Sequence, residues 1–538
     1  MDNTTQEINL LLINANKALN NKNYNLAKNC LEQILIKKPN LFEANFNLGV
    51  LNFQLGNLNS SINFLERSKQ INPKIAQVYF YLGLIHNKKR EVDLSIKNFK
   101  KVLEIDPNNS LAHYNLGTQY KEISKYEEAE KYLKYSIKIN SNFENAYSNL
   151  FDLYDKSNQT FKYEKLLNKA LKNLSNKSLL AFYKGVHEYK KKNYEKTIET
   201  FKKLNLEEKN FAQNVIRVGI LAKSYDQINK FDNAYKYFSI NNNLTEKYYG
   251  EKIDKNIFLK YVEQRKDFFE NFNKENWTNY PPISKYEPIF LIGFPRSGTT
   301  LLDTILRTSN FIEVIEEKPT IKNFLIEIEK TTKNEFSRLN NLDNNFISRM
   351  QSFYLKERNK YYDNKNAKII IDKMPLNIIH VAEILRFFPK AKFIFALRHP
   401  YDSVLSCFMQ HFTLNPAMKN FLSIESSSYL YNLVMSLWKI YEKNFSPNVH
   451  IIKYEDIVKD FELSTKNIFT FLDLQWSEKI KEFYNTALNR KDMSTPSYNQ
   501  VTSPLYIKSI DRWKNYRGEF SNVKKYLDKW VKEFNYEL

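Results

Sequence analysis

The sequence is poor in cysteine and has no long apolar run. Cys30 and Cys407 are the only two cysteines in 538 residues, which argues against a disulfide framework and fits a reducing compartment. No stretch approaches the roughly 20 consecutive apolar residues that a membrane-spanning helix requires. The first residues, MDNTTQEINLLLINANKAL, lack the basic start and apolar core of a secretory signal peptide. We therefore expect a cytoplasmic protein without a membrane span.

Metal-binding and nucleic-acid-binding signatures are also missing. The seven histidines are scattered and form no cluster with ligand spacing, so no metal site is predicted. The 81 Lys and Arg residues exceed the 60 Asp and Glu residues and give a net charge of +21. Such a charge is typical of nucleic-acid-binding proteins, but no arginine-rich tract or nucleic-acid motif accompanies it. We attribute the charge to a lysine-rich composition and predict no nucleic-acid partner, although a positive field would attract an anionic nucleotide.

What is present is enough apolar material for more than one core. Apolar residues make up 42% of the chain and aromatic residues 15%, which excludes a disordered chain. A length of 538 residues exceeds what one ordinary core accommodates. Two or more domains are expected.

The first half of the chain is repetitive. Glycines and prolines recur there at a step of 34 residues: Gly49, Gly83 and Gly117, and Pro39, Pro73 and Pro107. Two successive units around them are similar: NLGVLNFQLGNLNSSINFLERSKQINP and YLGLIHNKKREVDLSIKNFKKVLEIDP. Each unit is typical of two amphipathic helices that cross at small residues. The pattern resembles the tetratricopeptide repeat, and about seven units fit between residues 6 and 244.

The resemblance implies an all-α solenoid whose concave face binds a protein or peptide. A rigid spacer or a dimerisation arm is the alternative role for the same array. Residues 245–286 are expected to form a capping helix followed by a proline-containing linker.

The second half changes to alternating strands and helices. Short apolar runs, each followed by a helical stretch, are PIFLIGF, AKIIID (367–372), AKFIFALR (391–398) and VHIIKYE (449–455). This is the pattern of buried parallel strands with crossover helices. Residues 287–538 are therefore predicted to form one α/β domain with a mainly parallel sheet.

The first predicted strand ends in the glycine-rich segment G-F-P-R-S-G-T-T, residues 293–300. A turn of this kind exposes backbone N–H groups at a helix start and cradles phosphate. The segment is P-loop-like, but Thr299 stands where nucleoside-triphosphate P-loops require lysine, which argues against a kinase or ATPase. The residues suited to a single terminal phosphate are Arg296, Ser297, Gly298, Thr299 and Thr300.

The motif PRSGTT resembles the 5′-phosphosulfate loop of sulfotransferases that use 3′-phosphoadenosine-5′-phosphosulfate (PAPS), especially the tyrosylprotein sulfotransferase branch. Arg398 in LRHPYDSVLS, with Ser406 eight residues later, matches the arginine–serine pair that holds the donor's 3′-phosphate. Tyr454 in KYED matches a tyrosine near the nucleotide, and Arg512 stands where that branch has a lysine before tryptophan. The resemblance implies PAPS as donor co-substrate, with Arg512 at the nucleotide phosphates.

The same resemblance suggests the catalytic residues. Glu317 in IEVIEEKPT lies at the offset of the family's catalytic glutamate and would be the general base, with Glu316 as the alternative. Lys373 in IIDKMPLN matches the lysine that neutralises charge at the transferring sulfonate. Met and Pro follow it where many small-molecule sulfotransferases carry a histidine base, which favours Glu317. Ser497 would contact the sulfate or the leaving phosphate.

The sequence therefore favours a sulfotransferase that moves a sulfuryl group from PAPS to a hydroxyl-bearing acceptor, with the repeats recruiting substrate or a partner. Protein tyrosine, a saccharide and a small molecule remain open as acceptors. Gln410 replaces an arginine of the animal tyrosylprotein enzymes and leaves the acceptor open. The alternative function is a non-catalytic tetratricopeptide scaffold with a nucleotide-binding domain, against which the intact set of donor and catalytic residues speaks.

Overall fold

The computed structural model describes residues 3–204, 206, 210–273, 275, 277, 287–333, 336–362, 364, 366–488, 505 and 509–538. The chain divides into two compact units, Met1–Leu206 and Glu207–Leu538. Among the described residues, no helix combines the length and the apolar character needed to cross a bilayer.

The first unit is entirely helical over its described residues. Its helices are α1 (Asn3–Asn20), α2 (Tyr24–Lys37), α3 (Phe42–Gln54), α4 (Leu58–Ile71), α5 (Ala76–Lys88), α6 (Val92–Ile105), α7 (Ser110–Glu122), α8 (Tyr126–Ile139), α9 (Glu144–Lys156), α10 (Thr160–Asn173), α11 (Lys177–Lys190) and α12 (Tyr194–Lys203). Consecutive helices pair into hairpins of similar length, which confirms the predicted helical repeats.

Glycines at the repeating position let the two helices of several hairpins pack closely. A Cβ atom on Gly117 of α7 would lie 2.6 Å from Cγ of Leu133 on α8, so only glycine permits this approach. In another hairpin the hydroxyl of Ser61 donates to the carbonyl oxygen of Gly49 at 2.6 Å. Where the glycine is missing, Phe151 instead stacks on Tyr183 with ring centroids 4.1 Å apart. The 34-residue period thus reflects a repeated close contact between helices.

The second unit mixes helices with one sheet. Its strands are β1 (Ile289–Gly293), β2 (Ile312–Glu316), β3 (Ile369–Lys373), β4 (Lys392–Leu397) and β5 (Asn448–Lys453). Its α-helices are α13 (Phe211–Gln227), α14 (Phe231–Thr245), α15 (Asn256–Glu270), α16 (Thr299–Leu306), α17 (Thr320–Thr332), α18 (Asn344–Arg358), α19 (Val381–Phe387), α20 (Pro400–Phe408), α21 (Ile424–Phe445), α22 (Tyr454–Lys459), α23 (Phe461–Phe471), α24 (Phe483–Leu488) and α25 (Lys524–Glu533). The short helices are a π-helix at Glu246–Gly250 and 3-10 helices at Phe336–Leu339, Asn359–Tyr361, Pro375–His380, Met418–Leu422, Glu478–Glu482 and Arg512–Val523.

The sheet is parallel throughout, with strand order β2-β3-β1-β4-β5. Every residue of the central strand β1 is buried, as expected for a strand covered on both faces. The predicted α/β domain with a parallel sheet is confirmed. The four predicted apolar runs coincide with β1, β3, β4 and β5, whereas β2 was not predicted.

The helices α13 and α14, which the sequence assigns to the last repeat, belong to the second compact unit. Asn242 of α14 donates its side-chain amide to the carbonyl oxygens of Phe408 at 3.0 Å and Leu422 at 3.1 Å. The stretch 245–286, expected to hold a capping helix, contains α15, whose Arg265 forms a buried ion pair with Glu383 at 2.9 Å. The expected linker lies largely outside the described residues.

Candidate active site

Four strands of the sheet bring their carboxyl ends to one edge. Since β1, β2, β3 and β4 are parallel, their last residues, Gly293, Glu316, Lys373 and Leu397, lie side by side. Ligands of open α/β sheets bind in the crevice outside the carboxyl ends of the strands. The candidate site residues of the sequence follow these strand ends, so the topology gathers residues that are far apart along the chain.

The turn after β1 requires glycine at two positions. A Cβ atom on Gly293 would lie 2.5 Å from the carbonyl oxygen of Ala396. Gly298 has a φ of +101°, and a Cβ atom there would lie 3.0 Å from the ring of Tyr454. Arg296, between them, adopts a φ of +69°, which is uncommon for a residue other than glycine and costs free energy. Such strain is concentrated at functional sites.

The hydroxyl groups of the turn lie at the start of α16. The Ser297 hydroxyl is buried and has no hydrogen-bond partner among the described residues. Thr299 and Thr300 are the first two residues of α16, and both are buried. A buried hydroxyl without a partner, next to the N–H groups of a helix start, fits a bound anion.

Two arginines and a serine meet beside this turn. Nε of Arg296 donates to the hydroxyl oxygen of Ser406 on α20 at 3.0 Å. Nη1 of Arg398, just after β4, donates to the carbonyl oxygen of Arg296 at 3.2 Å, and its guanidinium carbon lies 5.0 Å from the centre of the Tyr454 ring. Nε of Arg398 is buried and without a hydrogen-bond partner in the described part of the chain. The Nε–H group of Arg398 therefore remains available to donate a hydrogen bond to an anion.

Two aspartates that the sequence did not suggest hold the C-terminal segment against this region. Asp402 on α20 accepts the backbone N–H groups of Asp511 at 2.8 Å and Trp513 at 2.9 Å. Between them, Arg512 donates to the carboxylate of Asp226 on α13 at 2.6 Å. Asp402 lies in the quoted motif LRHPYDSVLS and could have been singled out there. Asp226 lies in the repetitive part of the sequence, where nothing marks it.

The carboxyl ends of β2 and β3 carry a lysine with two glutamates. Lys373 is fully buried, and its Nζ donates to Glu317 at 2.8 Å and to Glu316 at 3.3 Å. The backbone N–H of Glu317 donates to the carbonyl oxygen of Lys373 at 2.8 Å, and its φ is +50°. The side chain of Glu316 is 8% exposed and that of Glu317 is 35% exposed. Glu317 is thus the carboxylate that a substrate reaches more easily.

Asp372 precedes Lys373 on β3 and is buried. Its carboxylate accepts hydrogen bonds from the hydroxyls of Thr320 at 2.5 Å and Tyr354 at 3.1 Å. Burial raises the pKa of Asp372 to about 6, partly offset by the two hydroxyls and by Arg358. No motif in the sequence points to this residue.

Two sequence predictions remain, the role of Ser497 and the absence of a metal site. Ser497 lies outside the described residues. Within the described ranges, no group of three or more His, Cys, Asp or Glu side chains is arranged to hold a metal ion.

Models of two families match parts of the chain. Residues 288–478 match the model of a sulfotransferase family. Residues 42–75, 76–109 and 98–131 match tetratricopeptide-repeat models. The chain combines tetratricopeptide repeats with a sulfotransferase-family domain. The sulfotransferase match covers the described strands β1 to β5 and the turn after β1.

The curated relatives are distant. An uncharacterized protein of Aquifex aeolicus is 25% identical over 254 residues, 46% of this chain and 33% of that protein. Protein-tyrosine sulfotransferase 2 of Gallus gallus is 25% identical over 258 residues, 44% of this chain and 66% of that protein. Protein-tyrosine sulfotransferase A of Caenorhabditis elegans is 26% identical over 241 residues, 42% of this chain and 60% of that protein. The chain thus spans between a third and two thirds of the length of these relatives.

Among solved structures, a crystal structure of MamA is 21% identical and covers 30% of this chain and 93% of that chain, with a TM-score of 0.29. The pilF protein of Pseudomonas aeruginosa is 19% identical and covers 38% of this chain and 91% of that chain, with a TM-score of 0.32. TM-scores this low define no functional relation.

Proposed function

We propose that this protein is a sulfotransferase that transfers a sulfuryl group from PAPS to an acceptor hydroxyl. The observation that carries the proposal is one sheet edge that places Arg296, Ser406 and Arg398 around the glycine-rich turn and the Lys373–Glu317 pair on neighbouring strands. The match of residues 288–478 to a sulfotransferase family supports it.

The donor nucleotide would be held through its phosphates. The turn at 293–300 offers the partnerless hydroxyl of Ser297 and the helix start for the 5′-phosphosulfate. Arg398, with Ser406, would take the 3′-phosphate through charge-assisted hydrogen bonds. Tyr454 would lie beside the nucleotide, and Arg512 would contact its phosphates. These groups suit a nucleotide with two separate phosphate positions better than a triphosphate.

Glu317 and Lys373 would carry the chemistry. The acceptor oxygen forms the new bond to sulfur, the bond from sulfur to the phosphate oxygen breaks, and the acceptor proton passes to Glu317. Lys373 stabilises the negative charge on the moving sulfuryl oxygens. Glu316 is the alternative base, and Ser497 would contact the sulfate or the leaving phosphate.

For the acceptor we propose protein tyrosine first, because relatives from Gallus gallus and Caenorhabditis elegans are named protein-tyrosine sulfotransferases. The repeats would recruit the substrate protein or a partner, the usual role of such arrays. A cytoplasmic location belongs to the same proposal. It is supported by Cys30 and Cys407, which are both buried free thiols.

The test begins with isothermal titration of the full chain against 3′,5′-adenosine bisphosphate and ATP. We expect strong preference for the bisphosphate, and tighter binding of ATP would refute the donor assignment. Radiolabelled PAPS is then offered with tyrosine peptides, saccharides and small phenols. Transfer of label to a peptide tyrosine supports the acceptor assignment. Bisphosphate binding without transfer to any acceptor would favour a non-catalytic scaffold.

A further inference from the structure

The hairpin of α13 and α14 packs against the part of the second unit that carries the donor residues. Phe408, at the end of the helix that bears Ser406, places its ring 5.3 Å from Tyr235 and 6.3 Å from Phe238 on α14. The amide of Asn242 donates to the carbonyl oxygen of Phe408 at 3.0 Å. The end of α20 is therefore held by the hairpin.

The other helix of the hairpin contacts the C-terminal segment. One carboxylate oxygen of Asp226 accepts from Arg512 at 2.6 Å, and the other accepts from the hydroxyl of Tyr516 at 2.6 Å. The ring of Tyr516 also contacts Phe231, at the start of α14, with centroids 5.4 Å apart. Both helices thus touch segments that carry candidate donor-binding residues.

Lys223 lies on α13 about one turn before Asp226, since helical residues three apart share a face. Its side chain is reached by solvent. Nevertheless, enough protein surrounds its ammonium group that burial lowers its pKa, and the positive charges of Arg296 and Arg512 lower it further. Burial lowers the pKa of His411, which follows α20, and the charge of Lys223 lowers it further. Lys223 is therefore accessible to solvent and close enough to two arginines for their charges to act on it.

This arrangement is unfavourable without an anion. The charges of Arg296 and Arg512 act on Lys223, and like charges that lie close together raise one another's free energy. Among the described residues, the charges that act most strongly on Lys223 are both positive, while the carboxylate of Asp226 is already occupied by Arg512 and Tyr516. Positive charges that lie close together attract polyanionic ligands.

We propose that Lys223 is a phosphate-binding residue of the donor nucleotide site, so that the α13–α14 hairpin forms part of that site. The inference rests on the proposed function, which supplies the anion: a nucleotide with phosphates on both sides of its ribose. Lys223 adds a cation from an element that precedes the matched region 288–478.

The test measures the affinity of the full chain for 3′,5′-adenosine bisphosphate by isothermal titration. Lys223→Ala should weaken binding about tenfold or more, the scale of a charge-assisted phosphate contact. Lys223→Arg keeps the charge and should stay close to wild type. Lys236→Ala on α14 is the matched control, because it removes the same charge from an exposed position of the same hairpin and should leave the affinity unchanged.

A thermal melt of each variant separates binding from folding. Because Lys223 faces like charges, Lys223→Ala should leave the melting temperature unchanged or raise it. A lowered melting temperature with a proportionate loss of binding would assign Lys223 a structural role and overturn the inference. Unaltered affinity of Lys223→Ala would overturn it alone and leave the sulfotransferase proposal standing. No binding of the bisphosphate by the wild type would overturn both.

Discussion

The two compact units differ in what they bury. In the first, the cores are apolar, and among its described residues Glu188 is the one buried Asp, Glu, Lys or Arg side chain. The second buries many charged groups, including Asp303, Asp372, Lys373 and Arg398. Burying a charge is costly unless it is paired. The repeats are thus stabilised by apolar packing. The second unit buries charged side chains, several of them at the carboxyl ends of its strands.

The difference has a functional consequence. The stability of a helical hairpin that packs a small residue against a large apolar one does not depend on the ionisation of any side chain. A buried lysine between two glutamates depends on its partners, and removing one leaves an uncompensated charge. If the buried charges of the second unit serve chemistry, substitutions there should alter turnover and ligand affinity, whereas substitutions in the repeats should alter only stability.

The largest effect is expected at Glu317. Glu317→Gln keeps the side-chain volume and can still accept a hydrogen bond from Lys373, but it cannot take the acceptor's proton. Turnover should fall by about 10²- to 10⁴-fold, the scale of general acid–base catalysis, with nearly unchanged nucleotide affinity. Single-turnover rates with radiolabelled PAPS and an acceptor phenol series test this. Acidic phenols need the base less and should be partly rescued.

Two further variants complete that experiment. Glu316→Gln should reduce turnover less than Glu317→Gln, and the reverse order would assign the base to Glu316. Glu425→Gln, at an exposed position of α21, removes an equal charge and should leave the rate unchanged. A collapse of nucleotide binding in Glu317→Gln would make the residue structural and would weaken the contrast between the two units.

The next effect in size is expected at Arg398. Arg398→Ala should weaken binding of 3′,5′-adenosine bisphosphate by about 10- to 100-fold, since a hydrogen bond to a charged group contributes about 1.5–3 kcal/mol. Binding of 5′-AMP should weaken much less, because it lacks the 3′-phosphate. Isothermal titration of both nucleotides measures the difference. Arg349→Ala, at an exposed position of α18, is the charge control. An equal loss for both nucleotides would refute the 3′-phosphate role.

The contrast between the units also explains which elements could be predicted from sequence. The repeats could, because a contact such as that of Gly117 with Leu133 recurs at a fixed period. Strands β1 and β4 could, because they are buried and strands covered on both faces are continuous apolar runs. Strands β3 and β5 are less buried, but they too are apolar runs in the sequence. Strand β2 could not, because IEVIE includes Glu313, whose charge is paired with Arg307 at 3.0 Å in the fold. Glu313 therefore interrupts the apolar run of β2, and its ion-pair partner is known only from the fold.

The candidate site was predictable where one short motif carries it. The turn at 293–300 and the spacing of Arg398 and Ser406 are local features of the sequence. The contact of Asp226 with Arg512 joins residues 286 positions apart, and a single sequence contains no signal for such a pair. The sequence carries no signal for Lys223 either, since an isolated lysine on a repeat helix is ordinarily a solvated surface residue.

A pH effect should arise in the second unit at Asp372. Burial raises its folded-state pKa to about 6 from an ordinary value of 3.8. The folded state therefore binds more protons than the unfolded state between these values, and stability falls as the pH rises from about 4 to about 6. The contribution amounts to about 2–3 kcal/mol. Asp372→Asn should remove this part of the slope, as measured by denaturant unfolding at pH 4.5, 6 and 7.5.

The control for that slope is Asp267→Asn, at an exposed position of α15. It should leave the pH dependence as in wild type. Thr320, Tyr354 and Arg358 also lower the pKa of the Asp372 carboxyl. Tyr354→Phe removes a hydroxyl that stabilises the ionised form, so it should raise this pKa further and make the fall of stability with pH steeper. An identical slope in wild type and Asp372→Asn would contradict the raised pKa.

The smallest effect is expected in the repeats, where packing alone is changed. Gly117→Ala places a methyl group 2.6 Å from Cγ of Leu133, so α7 and α8 must move apart. Overpacking of this kind costs about 1–3 kcal/mol, and the unfolding transition of the first unit should shift accordingly in a denaturant titration followed by circular dichroism. Gly518→Ala is the control, because a Cβ atom there has no neighbour within 4 Å. Affinity for 3′,5′-adenosine bisphosphate should be unchanged in both variants. A loss of affinity in Gly117→Ala would mean that packing in the repeats is coupled to the donor site and that the division between a packing unit and a charge-bearing unit is wrong.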